Sequence, residues 1–171
     1  MNRVSSLLVF CSPENILRQV VIERSENNCI SQIFSLSNNQ SESAQTLFFD
    51  GIITGEIVSI KQNSTPKILK NAVENFNYFD FRSEFKLQKR PLLIDFGTDS
   101  TEEINVIISE FASQFSTLSV FEFMAACISR PALLLGNSGK LELNDSTDLI
   151  LWEQVDLVSK RLTTKTRLRK I

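Results

Sequence analysis

The repeat of apolar residues changes twice along this chain, and that change limits the folds open to it. At the N-terminal end, residues 3–10 alternate and finish in the run from Leu7 to Phe10. Residues 16–23 contain Val20, Val21 and Ile22, and 29–36 form a third run. Polar turns at 11–15 and 25–28 separate them, a pattern that predicts strands joined as hairpins. A polar loop covers 37–44. Leu47, Phe48 and Phe49 make a further short strand, Asp50-Gly51 reads as a turn, and 52–60 reads as a strand with Gly55 at a bend or close backbone approach. The C-terminal end returns to this type. Residues 140–143 are a short strand, 144–147 a turn and 148–152 a strand. Residues 154–161 lead on to a last strand near 167–171.

Between the ends the period lengthens. Thr65 suits an N-cap and Pro66 a first helical turn. Ile68, Leu69, Ala72, Val73 and Phe76 follow at helical spacing. Residues 77–88 form a strand pair or a loop, and 92–96 is a short apolar run of the buried-strand kind. A turn at 97–100 opens a helix that Ser100 or Thr101 can cap, with Glu102 and Glu103 suiting its positive end. Ile104, Ile107, Ile108, Phe111 and Phe115 form its apolar stripe. A second helix spans 119–135, with Ser119 and Glu122 spaced as a capping box, and 136–139 ends it. Strand-rich ends around an α/β middle close most simply when the two ends pair in one sheet or sandwich, so the fold class is α+β.

Composition narrows the chemistry. The 171 residues fit one domain, or one domain with a small appendage, and a 42% hydrophobic fraction supplies an ordinary core. A net charge of −2 gives no electrostatic case for nucleic acid or an anionic membrane. The basic C-terminal stretch at 160–170 reads as a solvated tail. No apolar run approaches the ~18 residues that cross a bilayer, and the N-terminus lacks a signal-peptide core, so the expected location is cytoplasmic. Cys11, Cys29 and Cys127 are too scattered for a disulfide framework or a zinc site and read as small buried hydrophobes. The chain contains no histidine. This removes the usual general base at neutral pH, the partner that activates serine and cysteine nucleophiles, and the commonest nitrogen ligand for transition metals.

Three stretches together are similar to the amidohydrolase superfamily, in particular its cytosine-deaminase-like and chlorohydrolase-like branch. The segment 48–58 contains Asp50, Gly51 and Gly55 and resembles the family's strand leading from a β-sandwich into a metal-bearing (β/α)8 barrel. There Asp-Gly and Pro-Gly precede His-x-His. Here the segment is one residue short and has no proline, and Ile60 and Gln62 stand at the places of the two histidines. The segment 92–100 carries Gly97-Thr98-Asp99-Ser100 and resembles the last barrel strand, with Asp99 on the family's metal-binding aspartate. The segment 139–152 resembles the return into the sandwich, with Asn144 in place of a turn glycine, a substitution tolerable because asparagine visits the left-handed region. Residues 162–168 look like the closing strand.

The resemblance implies a composite β-sandwich built from 1–55 and 137–171. The inserted segment 56–136 would be a small α/β remnant of a truncated barrel. A (β/α)8 barrel takes about 200 residues or more, and only about thirty lie between Ile60 and Leu92. The family's zinc chemistry takes about three protein ligands and a water. Asp99 is the one surviving ligand position, so no metal site, no cofactor and no catalytic residue are expected. Asp99 itself reads as a cap on the helix that begins near Ser100. Asp95 should face outward, or toward Arg90 or Lys89.

Other candidates are weaker than their structural explanations. Cys127 reads as buried, Glu102, Glu103 and Glu110 as a solvated helix face, 136–139 as a helix end and not a phosphate loop, and Phe76, Phe79, Phe81 and Phe85 as core. The expected function is a non-catalytic interaction or scaffold module. Strands 56–60 and 92–96 would have open edges, favouring a homodimer or another protein partner through the α/β middle. The alternative is a small-ligand-binding or hydrolytic protein with a new site near Thr98, Asp99 and Ser100, where a strand ends and a helix begins.

Overall fold

The computed structural model describes residues 2–36, 45–75, 78–80, 93–115 and 118–171. It is an α+β protein whose main sheet has six strands in the order β3-β2-β1-β4-β7-β8. Strands β1 (Asn2–Ser12), β2 (Asn15–Arg24) and β3 (Ile30–Ser35) form an antiparallel meander, with Pro13 and Glu14 in the first turn. Strand β4 (Thr46–Thr54) lies parallel to β1 and antiparallel to β7 (Ile150–Glu153), which pairs in turn with β8 (Arg167–Lys170). Both ends of the chain therefore meet in one sheet, as the pattern of the sequence requires.

Side chains alternate across this sheet, and both faces are buried. Phe10, Ile52, Ile150, Trp152 and Leu168 point to the helical side, where they pack with Ile104, Ile108, Phe123 and Met124. Val9, Cys11, Ile53, Leu149 and Leu151 point the other way and pack with Val20, Ile22, Ile30 and Leu141. This is the period of two that strands impose. The second cluster is covered by the sheet's own curvature. Ile30 of β3 exchanges backbone hydrogen bonds with Asn144 and Asp145 (2.8 and 3.0 Å), and the Arg24 guanidinium donates to the Ile171 carbonyl (2.7 Å). These bonds draw the β3 and β8 sides of the sheet toward each other.

Asp50-Gly51 is not a turn. It lies inside β4, where two residues face one on β1 between the Ser6–Phe49 and Leu8–Ile52 pairs. Gly51 has φ +151°, and a Cβ there would sit 2.2 Å from the Trp152 carbonyl oxygen. The turn-like dipeptide thus marks a β-bulge beside a close backbone approach. Strand β4 stops at Thr54, so 55–60 is not strand, and Ile60 opens a short helix instead. Residues 140–143 are likewise not a strand; Leu141 makes a single backbone bond, to the Cys11 carbonyl. Asn144 adopts φ +69°, the left-handed conformation asparagine tolerates.

Helices α1 (Ile60–Asn63), α2 (Pro66–Asn75) and α3 (Thr101–Phe111) follow, together with β5 (Tyr78–Asp80) and β6 (Leu93–Asp95), a parallel pair. Thr65 Oγ1 accepts from the Ile68 N–H at the start of α2 (3.4 Å), and Ala72 buries against Ile60 and Leu93. Val73 is exposed, and Phe76 with 81–92 and 37–44 lies outside the described residues, as do the side chains of Phe79 and Phe111. The 119–135 helix has both bonds of its Ser119–Glu122 capping box. It is not uniform, however. Between α4 (Val120–Met124) and α5 (Arg130–Leu134), Ala125–Ser129 widen into a π turn, with Arg130 N–H bonded to the Ala125 carbonyl. Pro131 follows and has no N–H to continue the regular ladder. All five π-turn residues are buried.

Candidate functional site

The α3 end of β6 and the short α1 helix form one polar cluster. Sequence spacing places Asp95 and Asp99 on a strand and the turn after it. Tertiary packing brings 59–63 against them. Asp95 is buried at 1% exposure in an otherwise apolar strand. A buried carboxylate needs hydrogen bonds or a counter-charge. Its Oδ1 accepts from Ser59 Oγ (2.8 Å) and the Gly97 N–H (2.9 Å), and its Oδ2 accepts from the Lys61 N–H (2.8 Å). It does not face outward, and the predicted partners Lys89 and Arg90 lie outside the described residues.

Asp99 does not cap α3. Ser100 is the cap, its Oγ accepting from the Glu103 N–H (3.4 Å). Asp99 turns back across the cluster. Its Oδ1 accepts from the Ser59 N–H and its Oδ2 from Asn63 Nδ2 (2.9 Å). Ser59 caps α1, and a helix that short leaves most of its N–H groups without helical partners, so two carboxylates from the facing turn complete it. Gln62 Nε2 donates to the Gly97 carbonyl (3.1 Å), and Ile60 is fully buried in the small core with Ala72 and Leu93. Thr98 is buried, and its hydroxyl accepts from the Ser100 N–H (3.1 Å).

The positions that the resemblance assigns to metal ligands do lie together in space, but they do not fit a metal. Ile60 is apolar and packed, Gln62 stands as a neutral amide whose Nε2 donates to the Gly97 carbonyl, and both oxygens of Asp99 accept hydrogen bonds. Among the described residues no group of three His, Cys, Asp or Glu side chains is placed to hold an ion. Ser59 Oγ on Asp95 is a hydroxyl on a carboxylate, the outline of an activated nucleophile. Both residues are 1% exposed, so no substrate reaches the hydroxyl. Cys127 is buried, and that burial pushes its thiol well above the usual range, which removes it as a nucleophile. Cys11 is also buried, its thiol pushed up to about 11, while Cys29 is half-buried.

Beside this cluster lies a cavity of about 210 Å³, walled by Glu56, Asn63, Asp99 and Lys170 over an apolar base that includes Ile104 and Leu168. Its charges are mostly negative. Glu56 is exposed as a residue, yet its carboxyl loses enough hydration to raise its pKa, and Asp148 and Asp99 raise it further against the opposing Lys170. The hydrogen bond from Lys170 Nζ to Asp148 (2.9 Å) and that carboxylate's charge raise the lysine pKa. At the α3 N-terminus the Glu102 pKa is lowered, first by a backbone hydrogen bond and then by the Ser100 hydroxyl. Sequence reasoning found Asp99, Thr98 and Ser100 but not Ser59, Asn63 or the role of Asp95. The one available signal was a lone carboxylate in the apolar run 92–96. No helix among the described residues is long and apolar enough to cross a membrane. No protein-family model matches the chain, and neither a curated protein nor a solved structure is significantly similar to it.

Proposed function

We propose that this chain is a non-catalytic, amidohydrolase-like interaction module. In this reading 1–55 and 137–171 form a composite β-sandwich, and 56–136 is the remnant of a truncated (β/α)8 barrel. The observation that carries the proposal is the use made of Asp99. The carboxylate on the family's metal-ligand position holds 59–63 in place through the Ser59 N–H and the Asn63 side chain. A ligand position converted into a structural clasp is what loss of a metal site leaves behind. The absence of histidine from the whole chain supports the same reading. So does the course of the chain, which leaves the main sheet after β4 and re-enters it at β7.

The partner surface in this reading is the α/β middle, and the partner is a second copy or another protein. Two paired strands are marginal alone, and among the described residues β6 pairs only with β5. A second reading, a small-ligand site near Thr98, Asp99 and Ser100, is favoured by the acidic cavity beside Asp99. The discriminating experiment is metal content by mass spectrometry run beside light scattering on the untagged protein. Metal-free protein with a dimer mass is the expected result. Stoichiometric zinc or iron overturns the non-catalytic reading, and a strictly monomeric species overturns the self-associating one.

A further inference from the structure

The connection between β7 and β8 carries a charge asymmetry that the net charge of −2 conceals. Residues 154–170 contain six lysines and arginines and one acid, Asp156. Two of the cations are paired, Arg169 with Glu153 and Lys170 with Asp148. Lys160, Arg161, Lys165 and Arg167 are exposed and have no ion-pair partner among the described residues. This stretch is not the solvated tail that its composition suggests. It folds into two turns. In the first, Asp156 and Arg161 exchange backbone hydrogen bonds (3.1 and 3.0 Å). In the second, the Thr163 and Thr166 hydroxyls both donate to the Gln154 carbonyl (3.0 and 3.3 Å). The Val120 N–H at the start of α4 donates to the Lys160 carbonyl (2.7 Å) and ties the first turn to the helical layer. The four unpaired cations are therefore held together at one end of the sheet.

The tip of the first turn is apolar. Val158 is 96% exposed, the most exposed large hydrophobic side chain among the described residues, and Leu157 and Leu162 beside it are half-buried. The two amides at the tip need no water. Asp156 Oδ1 accepts from the Val158 and Ser159 N–H groups (3.0 Å each), and its Oδ2 accepts from the Ser159 hydroxyl (2.6 Å). Amides satisfied within the chain are what a segment needs before it enters a medium poor in water. The same bonds occupy the one carboxylate of the turn. Lys160 sits at φ +55°, where glycine or asparagine would be relaxed, so a cation is kept at a position of backbone strain.

We infer that this pair of turns docks on an anionic bilayer surface, with Val158 entering the headgroup layer and Lys160, Arg161, Lys165 and Arg167 meeting the negative lipid headgroups. A cluster of about four cations is of the size that such surfaces attract. Charge alone would serve any polyanion. The exposed aliphatic tip selects lipid, because peripheral binding grows with the apolar area that enters the interface. Nucleic acid is held instead by stacking on aromatic side chains and by hydrogen bonds to base edges, and a valine supplies neither. The contact is peripheral, and it does not depend on the descent proposed above.

The test is flotation of the full chain with phosphatidylcholine vesicles containing about 30% phosphatidylserine, beside vesicles of phosphatidylcholine alone. Binding should be confined to the anionic vesicles and should fall about tenfold or more from low to high salt. Each cation near such a surface contributes about fivefold in partition, so Arg161→Gln combined with Lys165→Gln should weaken binding about twentyfold. Val158→Ser leaves the charge unchanged and should weaken binding about threefold or more. All three side chains are exposed, so thermal melting of these variants should match the parent. Lys67→Gln combined with Lys140→Gln makes the same change of charge at exposed positions elsewhere and should bind like the parent. The inference is overturned if neither vesicle binds, if neutral vesicles bind as well as anionic ones, or if the control pair weakens binding as much as the Arg161 and Lys165 pair. Unchanged binding of Val158→Ser also overturns it, as does release from the vesicles by duplex DNA or polyglutamate at equal charge.

Discussion

Replacing Asp95 by asparagine tests the clasp that fixes 59–63 against β6. The substitution keeps shape and removes charge. Three donors converge on the carboxylate: Ser59 Oγ, the Gly97 N–H and the Lys61 N–H. An asparagine offers one oxygen and one NH2 group, so at least one donor faces another donor in a site 1% exposed. Hydrogen bonds to a charged group contribute about 1.5–3 kcal/mol each, and an unmet buried N–H adds a desolvation cost, so Asp95→Asn should cost about 3 kcal/mol. For a chain of this length that lowers Tm by about 6–12 °C. Asp99→Asn is the internal control. Asp99 is exposed, so water replaces whatever is lost, and the cost should stay under about 1 kcal/mol. Urea denaturation of both variants beside the parent protein measures the difference. An Asp95→Asn variant within about 0.5 kcal/mol of the parent, or an Asp99→Asn variant as costly as Asp95→Asn, would refute the assignment of the buried carboxylate as the main clasp.

Glu56 supplies a pH test. Its folded-state pKa is raised, so the folded protein binds this proton more readily than the unfolded chain, and stability falls as pH rises from the ordinary carboxylate value through the raised one. Glu56→Gln should therefore gain stability over the parent at neutral pH and lose that advantage at acid pH; an advantage independent of pH contradicts the assignment. Gly51→Ala should cost about 2–4 kcal/mol, because its Cβ would meet the Trp152 carbonyl at 2.2 Å and backbone must move; near-wild-type thermal melting would disprove the close approach. Asn105 closes the outer edge of β8, its amide oxygen accepting from the Leu168 N–H and its Nδ2 donating to the Leu168 carbonyl (3.0 Å). Asn105→Ala should cost about 1–2 kcal/mol and speed hydrogen exchange at Leu168 about tenfold, whereas unchanged exchange there would mean the edge is protected by something else.

What the sequence determined by itself is local. Ser100, and Ser119 with Glu122, cap the helices they precede because the donor and acceptor lie within a few residues of each other, and no tertiary contact is needed. The strands at both ends follow from alternation, and their union in one sheet follows from having two apolar faces to cover. Only the tertiary structure decided where Asp95 and Asp99 turn. Their partners on 59–63 are 34 to 40 residues away in sequence, and two nearby carboxylates have the same local preference for a helix start until packing supplies better donors. Packing likewise made a bulge of Asp50-Gly51. A dipeptide that turns when free is held extended when β1 and β7 pair on either side of its strand.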